Sequence, residues 1–160
     1  MPKPKIYLET TVVSVLTARP TRDVVQTALQ QITREWWEQR RLRYDLCIAE
    51  LVLIEAARGD RDAARRRLEM LAGIPQLTAL PAAEGLAQLI VTETRLPINK
   101  AADAAHIAIA ATHRIDFLLT WNCAHLANPV LEPAVRRICE QAGFVCPVIC
   151  TPHQMLELEP

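Results

Sequence analysis

The sequence predicts an α/β protein with helices covering both faces of a parallel sheet. Short apolar runs (IYL, YDLCIA, PQLTAL, DFLLTW and VCPVICTP) alternate with segments of helical periodicity, the pattern of strand–helix–strand units. One helix, INKAADAAHIAIAATHR, is apolar nearly all round and therefore belongs in the interior. The 160 residues are 51% hydrophobic, enough for one domain, residues 1–160, with a sizeable core.

The elements follow in order. IYL is the first strand, and TTVVSVLTA after it is a helix or turn with Thr10, Thr11 or Ser14 available as a cap. DVVQTALQQITREWWEQRR places Val25, Leu29, Ile32 and Trp36 at helical spacing. YDLCIA is a second strand, and ELVLIEAARG is a short helix stopped by Gly59. DRDAARRRLEMLAG is a helix with Asp60 as cap and Gly73 as stop. PQLTAL is a third strand, and PAAEGLAQLIVTETRL is a helix introduced by Pro81. The apolar helix INKAADAAHIAIAATHR follows, then the strand DFLLTW, the helix EPAVRRICEQAG and a last short strand in VCPVICTP.

Only 4% of residues are aromatic, so the core rests on Leu, Val, Ile and Ala. No run of eighteen uncharged apolar residues marks a membrane span. The N-terminal MPKPKIYLET is not a signal-peptide pattern, so a cytoplasmic location is expected, without a membrane partner. The five cysteines (Cys47, Cys123, Cys139, Cys146, Cys150) contain no CxxC pair and no zinc-ligand spacing, and they read as free thiols, mostly small core residues. Net charge is zero, which argues against gripping long nucleic acid by bulk charge alone. Two arginine clusters, Arg34/Arg40/Arg41/Arg43 and Arg58/Arg61/Arg65/Arg66/Arg67, read first as solvated helix faces. The Trp36–Trp37 pair reads as helix packing ahead of base stacking.

Four oxygen-bearing side chains stand where simple rules do not put them. Glu9 ends the first strand, and Asn122 lies just past the fourth, in LLTWN. Both fall at the carboxyl edge of a parallel sheet, where ligands bind. Asp103 interrupts an almost wholly apolar helix. With Asn99 as N-cap it would be the fourth helical residue, and there it needs a partner, a metal or a raised pKa. Glu55 lies about a turn into its own short helix. Each has a plainer reading: Glu9 as a helix-start acid, Asp103 paired with Lys100, Glu55 paired with Arg58. Taken together they favour a shared site. Hard oxygen ligands without His or Cys select Mg²⁺ or Mn²⁺, and such ions commonly serve phosphate chemistry. His106, one turn after Asp103, reads first as a packed core histidine. Trp121, beside Asn122, either stacks on a base or covers the core.

At this point a family resemblance enters. IYLETTVVSVL, ELVLIEAARGD, AADAAHIAIAATHRIDFLLTWN and CAHLAN resemble the PIN domain of the VapC-like toxins of type II toxin–antitoxin systems, over residues 5 to about 156. The resemblance implies a PIN-like three-layer α/β/α sandwich around a short, mainly parallel sheet. It implies a metal-dependent endoribonuclease that hydrolyses RNA with Mg²⁺ or Mn²⁺, forms homodimers and is inhibited by a cognate antitoxin. By position it makes Glu9, Glu55, Asp103 and Asn122 the catalytic set. Thr10, Thr11 and Thr120 fall where hydroxyls support the metal shell, and Trp121 is the substrate-stacking candidate. Two departures stand out. Glu replaces the usual Asp at position 9, lengthening the arm by about 1.3–1.5 Å, on the order of the ~1 Å misplacement that can disable a site. Asn at position 122 removes a charge, which disfavours a second ion. The expectation is one Mg²⁺ held mainly by Glu9 and Asp103, with Glu55 orienting water or a second ion and Asn122 binding metal-linked water.

Two other readings compete. A degenerate PIN-like module would bind RNA or a protein partner without catalysis. A metal-dependent phosphohydrolase on a similar sheet would need an aspartyl nucleophile with a second Asp two residues on, and ETT supplies neither.

Overall fold

The computed structural model describes residues 1–96 and 100–157. Five strands, β1 (Lys5–Leu8), β2 (Asp45–Ala49), β3 (Gln76–Leu77), β4 (Phe117–Leu119) and β5 (Val148–Cys150), form one sheet in the order β3-β2-β1-β4-β5. Every pairing is parallel. Ile6, Tyr7 and Leu8 are consecutive and all buried. Successive strand residues point to opposite faces, so both faces of β1 are covered.

Among the described residues, eight α-helices flank the sheet: α1 (Thr10–Thr17), α2 (Val24–Gln39), α3 (Glu50–Ala56), α4 (Arg61–Leu71), α5 (Pro81–Thr94), α6 (Ala101–Thr112), α7 (Glu132–Gln141) and α8 (Pro152–Glu157). They pack in two groups. α1 lies against α2, α3 and α4, with α8 on α2; α5 lies against α6 and α7. The result is the expected α/β architecture of a parallel sheet flanked by helices.

Local chemistry accounts for the boundaries. Asp23 and Asp60 cap α2 and α4 by accepting from the Gln26 and Ala63 amides at 2.9 Å each. Gly59, Gly73 and Gly143 take φ of +82°, +84° and +87° after α3, α4 and α7, the left-handed stop that favours glycine. Two expectations change. The cap of α1 is Glu9 rather than Thr10, Thr11 or Ser14. The last apolar run keeps only three strand residues, and the chain turns at Thr151, whose hydroxyl accepts from the Gln154 amide, to enter α8. The cap assigned to Asn99 lies outside the described residues.

The core is continuous from the sheet into both helix groups. In α6, Ala104 and every residue from His106 to Ala111 are buried, which fits its near-uniform apolarity. On α2, Trp36 is fully buried and its ring sits 6.4 Å from Trp37 and 6.5 Å from Tyr44. The tryptophan pair is thus core, with the Arg41 guanidinium 4.7 Å above the Trp37 ring. Of the second arginine cluster, Arg65 and Arg66 pair with Asp62 on α4, as does Arg19 from outside it, contacts of small individual worth. All five cysteines are free, and four of them are buried.

Trp36 fills the largest buried side-chain volume, yet its indole N–H has no hydrogen-bond partner among the described residues. Trp36→Ala should therefore cost about 3–5 kcal/mol. Trp36→Phe should cost markedly less, because it removes an unsatisfied buried donor along with part of the ring. Urea unfolding of the two variants checks the ordering.

Candidate metal centre

In a sheet ordered 3-2-1-4-5 the chain winds one way from β1 through β2 and β3, then returns to the other side of β1 with β4. The switch point lies between β1 and β4, and a crevice opens there outside the carboxyl ends of the strands. Glu9 leaves β1 at this point and Thr120 leaves β4. The ladder runs on between them, with the Glu9 amide donating to Leu119 O at 3.0 Å.

Glu9 has extended backbone and its side chain folds back over the start of α1. Oε2 accepts from the Thr11 amide at 3.0 Å, from the Thr11 hydroxyl, and from the Thr120 hydroxyl at 2.9 Å. Those hydroxyls are themselves oriented. Thr11 Oγ1 accepts from the Trp121 amide at 2.8 Å, and Thr120 Oγ1 accepts from the Asn122 amide at 2.9 Å. With a lone pair on each already occupied, their single protons are directed at the carboxylate. Glu9 is only 4% exposed. Burial raises its pKa; the Thr11 and Thr120 bonds oppose the rise without cancelling it.

Glu55 projects from α3 toward the same crevice. Its Oε1 accepts from the Thr10 hydroxyl at 2.6 Å and is 2.7 Å from His106 Nε2. Burial pushes its pKa up, but the His106 and Thr10 bonds and the Arg58 charge outweigh it and hold the carboxyl below its ordinary value. Arg67 of α4 steadies the end of α3 by donating to Ala56 O at 2.9 Å and to Arg58 O at 2.5 Å, satisfying carbonyls the helix leaves unpaired. His106 is fully buried, and its Nδ1 is 2.6 Å from the Tyr7 hydroxyl. Tyr7 and Glu9 are two residues apart on extended chain, so they face the same side.

Ligand atoms of Glu9, Glu55 and His106 all lie within 4.8 Å of one another. Asp103 stands outside this trio, one turn before His106 on the same face of α6. It is half-buried, and its Oδ2 is buried with no hydrogen-bond partner among the described residues. Two convergent carboxylates with a third, unpartnered buried carboxylate oxygen on the adjoining helix face form a donor set that suits a hard divalent cation.

The remaining candidates have structural partners. Asn122 Oδ1 accepts from the His125 amide at 3.0 Å, organising the turn after β4, and the residue reaches the acids through its backbone N–H. Trp121 packs against the core, and its indole N–H donates to Thr33 Oγ1 at 2.9 Å. Thr10, Thr11 and Thr120 contact the two glutamates directly. His106, expected as a packed core histidine, and Tyr7, not singled out from its sequence context, also join the cluster. The available signal was the i, i+3 spacing of Asp103 and His106 and the i, i+2 spacing of Tyr7 and Glu9.

A buried glutamate whose pKa is raised favours the protonated form in the fold. Its contribution to stability is present below the ordinary carboxylate range and is lost as pH rises through the raised value. In chelator at neutral pH, Glu9→Gln should accordingly melt above wild type, with the gap closing on acidification. Thermal scans across pH test this.

Comparison of the sequence with protein-family models and with curated proteins gives no match. Comparison of the structure does. VapC20 from Mycobacterium tuberculosis, a sarcin-ricin loop cleaving toxin, superposes with a TM-score of 0.55 at 16% identity, over 88% of this chain and 96% of that one. VapBC2 from Rickettsia felis, solved bound to a DNA fragment from its promoter, superposes with a TM-score of 0.55 at 11% identity, over 92% of this chain and 98% of that one. This chain thus shares its fold, a parallel five-stranded sheet flanked by helices, with these VapC structures.

Proposed function

We propose that this chain is a Mg²⁺- or Mn²⁺-dependent endoribonuclease that hydrolyses RNA phosphodiester bonds as the toxin of a type II toxin–antitoxin pair. The observation that supports the reading is the convergence of the Glu9 and Glu55 carboxylates, whose ligand atoms lie within 4.8 Å of each other, with Asp103 offering an unpartnered buried oxygen one turn before His106 on α6. The fold shared with VapC20 supports RNA as the substrate class, and the fold shared with VapBC2 supports an antitoxin partner. In this reading Glu9, Glu55 and Asp103 hold the cation. When bound, the cation neutralises charge on the phosphodiester and acidifies water. The chain's own residues supply preorganisation. Thr11 and Thr120 fix Glu9, Thr10 fixes Glu55, and Asn122 fixes the Thr120 hydroxyl through its backbone. Single-stranded or looped RNA is the expected target, because its bases can be splayed from the helix. The chain acts as a homodimer in this reading.

One observation favours the alternative of a non-catalytic binding module. Glu9 Oε2 already accepts three hydrogen bonds and Glu55 Oε1 two, so the cluster is partly satisfied from within. The two readings part at the metal. Calorimetric titration of Mn²⁺ into wild type should give binding that Asp103→Asn weakens at least tenfold. RNA cleavage should fall by a factor of ~100 or more in that variant and stop on adding chelator. Intact, folded wild type that takes up no Mn²⁺ and cuts no RNA would establish the binding module instead.

A further inference from the structure

His106 lies within ligand distance of both glutamates, and distance alone would make it a metal ligand. Its hydrogen bonds and burial argue otherwise. An ionised carboxylate only accepts, so His106 Nε2 is the donor in the 2.7 Å bond to Glu55 Oε1. The Tyr7 hydroxyl is 2.6 Å from Nδ1 and has no other hydrogen-bond partner among the described residues. It donates its proton there, so Nδ1 accepts. Both ring nitrogens are thereby used, and neither lone pair faces the crevice. Exposure points the same way. The Glu55 side chain is 20% exposed and that of His106 is 0% exposed. Mg²⁺ and Mn²⁺ ordinarily retain several waters, and a hydrated ion can reach Glu55 but not the imidazole behind it.

We propose that His106, oriented by Tyr7, is a positioning residue for Glu55. It fixes the carboxylate opposite Glu9 from behind and does not itself contact the cation. The inference rests on the metal-centre reading above. It joins residues from three elements: Tyr7 on β1, His106 on α6 and Glu55 on α3. The Tyr7 and His106 rings meet edge to face with centroids 5.7 Å apart, so the imidazole plane is held by packing as well as by hydrogen bonds. Thr10 supplies the second fixed donor to the same oxygen. Together these two donors hold Glu55 Oε1 in place.

The test is a Mn²⁺ titration by calorimetry on wild type, His106→Leu, His106→Gln and Tyr7→Phe, with imidazole nitrogen NMR on the metal-free proteins. Leu keeps an apolar core and removes the donor, whereas the Gln amide nitrogen can stand near the place of Nε2. Mn²⁺ affinity should fall on the order of tenfold or more in His106→Leu and recover substantially in His106→Gln. It should fall severalfold in Tyr7→Phe. Wild-type spectra should show a protonated Nε2 and a bare Nδ1. Glu55→Gln should leave no further loss for His106→Leu to cause. Equal losses in His106→Leu and His106→Gln that persist alongside Glu55→Gln would make His106 a direct ligand and overturn the proposal. Unchanged affinity in a folded His106→Leu would reduce it to core packing and overturn the proposal as well. Should His106→Leu fail to fold, the isosteric Tyr7→Phe decides, with unchanged affinity counting against. Wild type that binds no Mn²⁺ is a different failure, because it removes the metal centre and this inference with it.

Discussion

The arrangement depends on one constraint: a carboxylate placed at the buried end of the central strand must find donors. Glu9 is almost fully enclosed, and an unpaired charge there would be costly. The donors come from α1 and from the turn after β4, and both are in place because β1 and β4 are neighbours in register, Leu8 opposite Leu119. The parallel order of the sheet is therefore a condition for burying this acid. Shifting either strand by one residue would turn the threonine hydroxyls away from it.

From this constraint the rest of the site follows by short steps. Thr11 serves Glu9 and receives Trp121; Thr120 serves Glu9 and receives Asn122. Each hydroxyl links a carboxylate to a backbone amide, so the loop after β4 and the start of α1 are set by the same bonds that set the acid. Glu55 is held by separate means, through Thr10, His106 and the Arg67 clamp on the end of α3. The two carboxylates consequently differ, Glu9 shifted toward its neutral form and Glu55 toward its charged form. A cation entering between them would meet one acid ready to ligate and another that it must strip of a proton preference, so loading would be easier at higher pH.

A glutamate can curl over the helix it precedes and cap it from the N-cap position, as Glu9 does through the Thr11 amide, while its carboxylate still borders the crevice. Capping and the macrodipole favour negative charge at that spot. Glu9 thus caps α1 and borders the crevice with one carboxylate, so the proposed site role would not require it to give up the helix-start role.

The sequence by itself determined the kinds and order of the elements, the glycine stops, the central placement of α6 and the identity of the acids at the sheet edge. Those follow from periodicity and short-range sterics, which are local properties. Only the tertiary structure decided which partners the acids meet. The Tyr7–His106 and His106–Glu55 contacts span 99 and 51 residues, and no local pattern encodes a pairing at that range. The same holds for Trp121, whose packing depends on α2 lying across it, and for α8, where the chain could read as a continued strand until the Thr151 turn redirected it. An apolar helix hides the role of a histidine within it, because burial is its ordinary reason for being there; what faces that histidine is settled by how the helices pack.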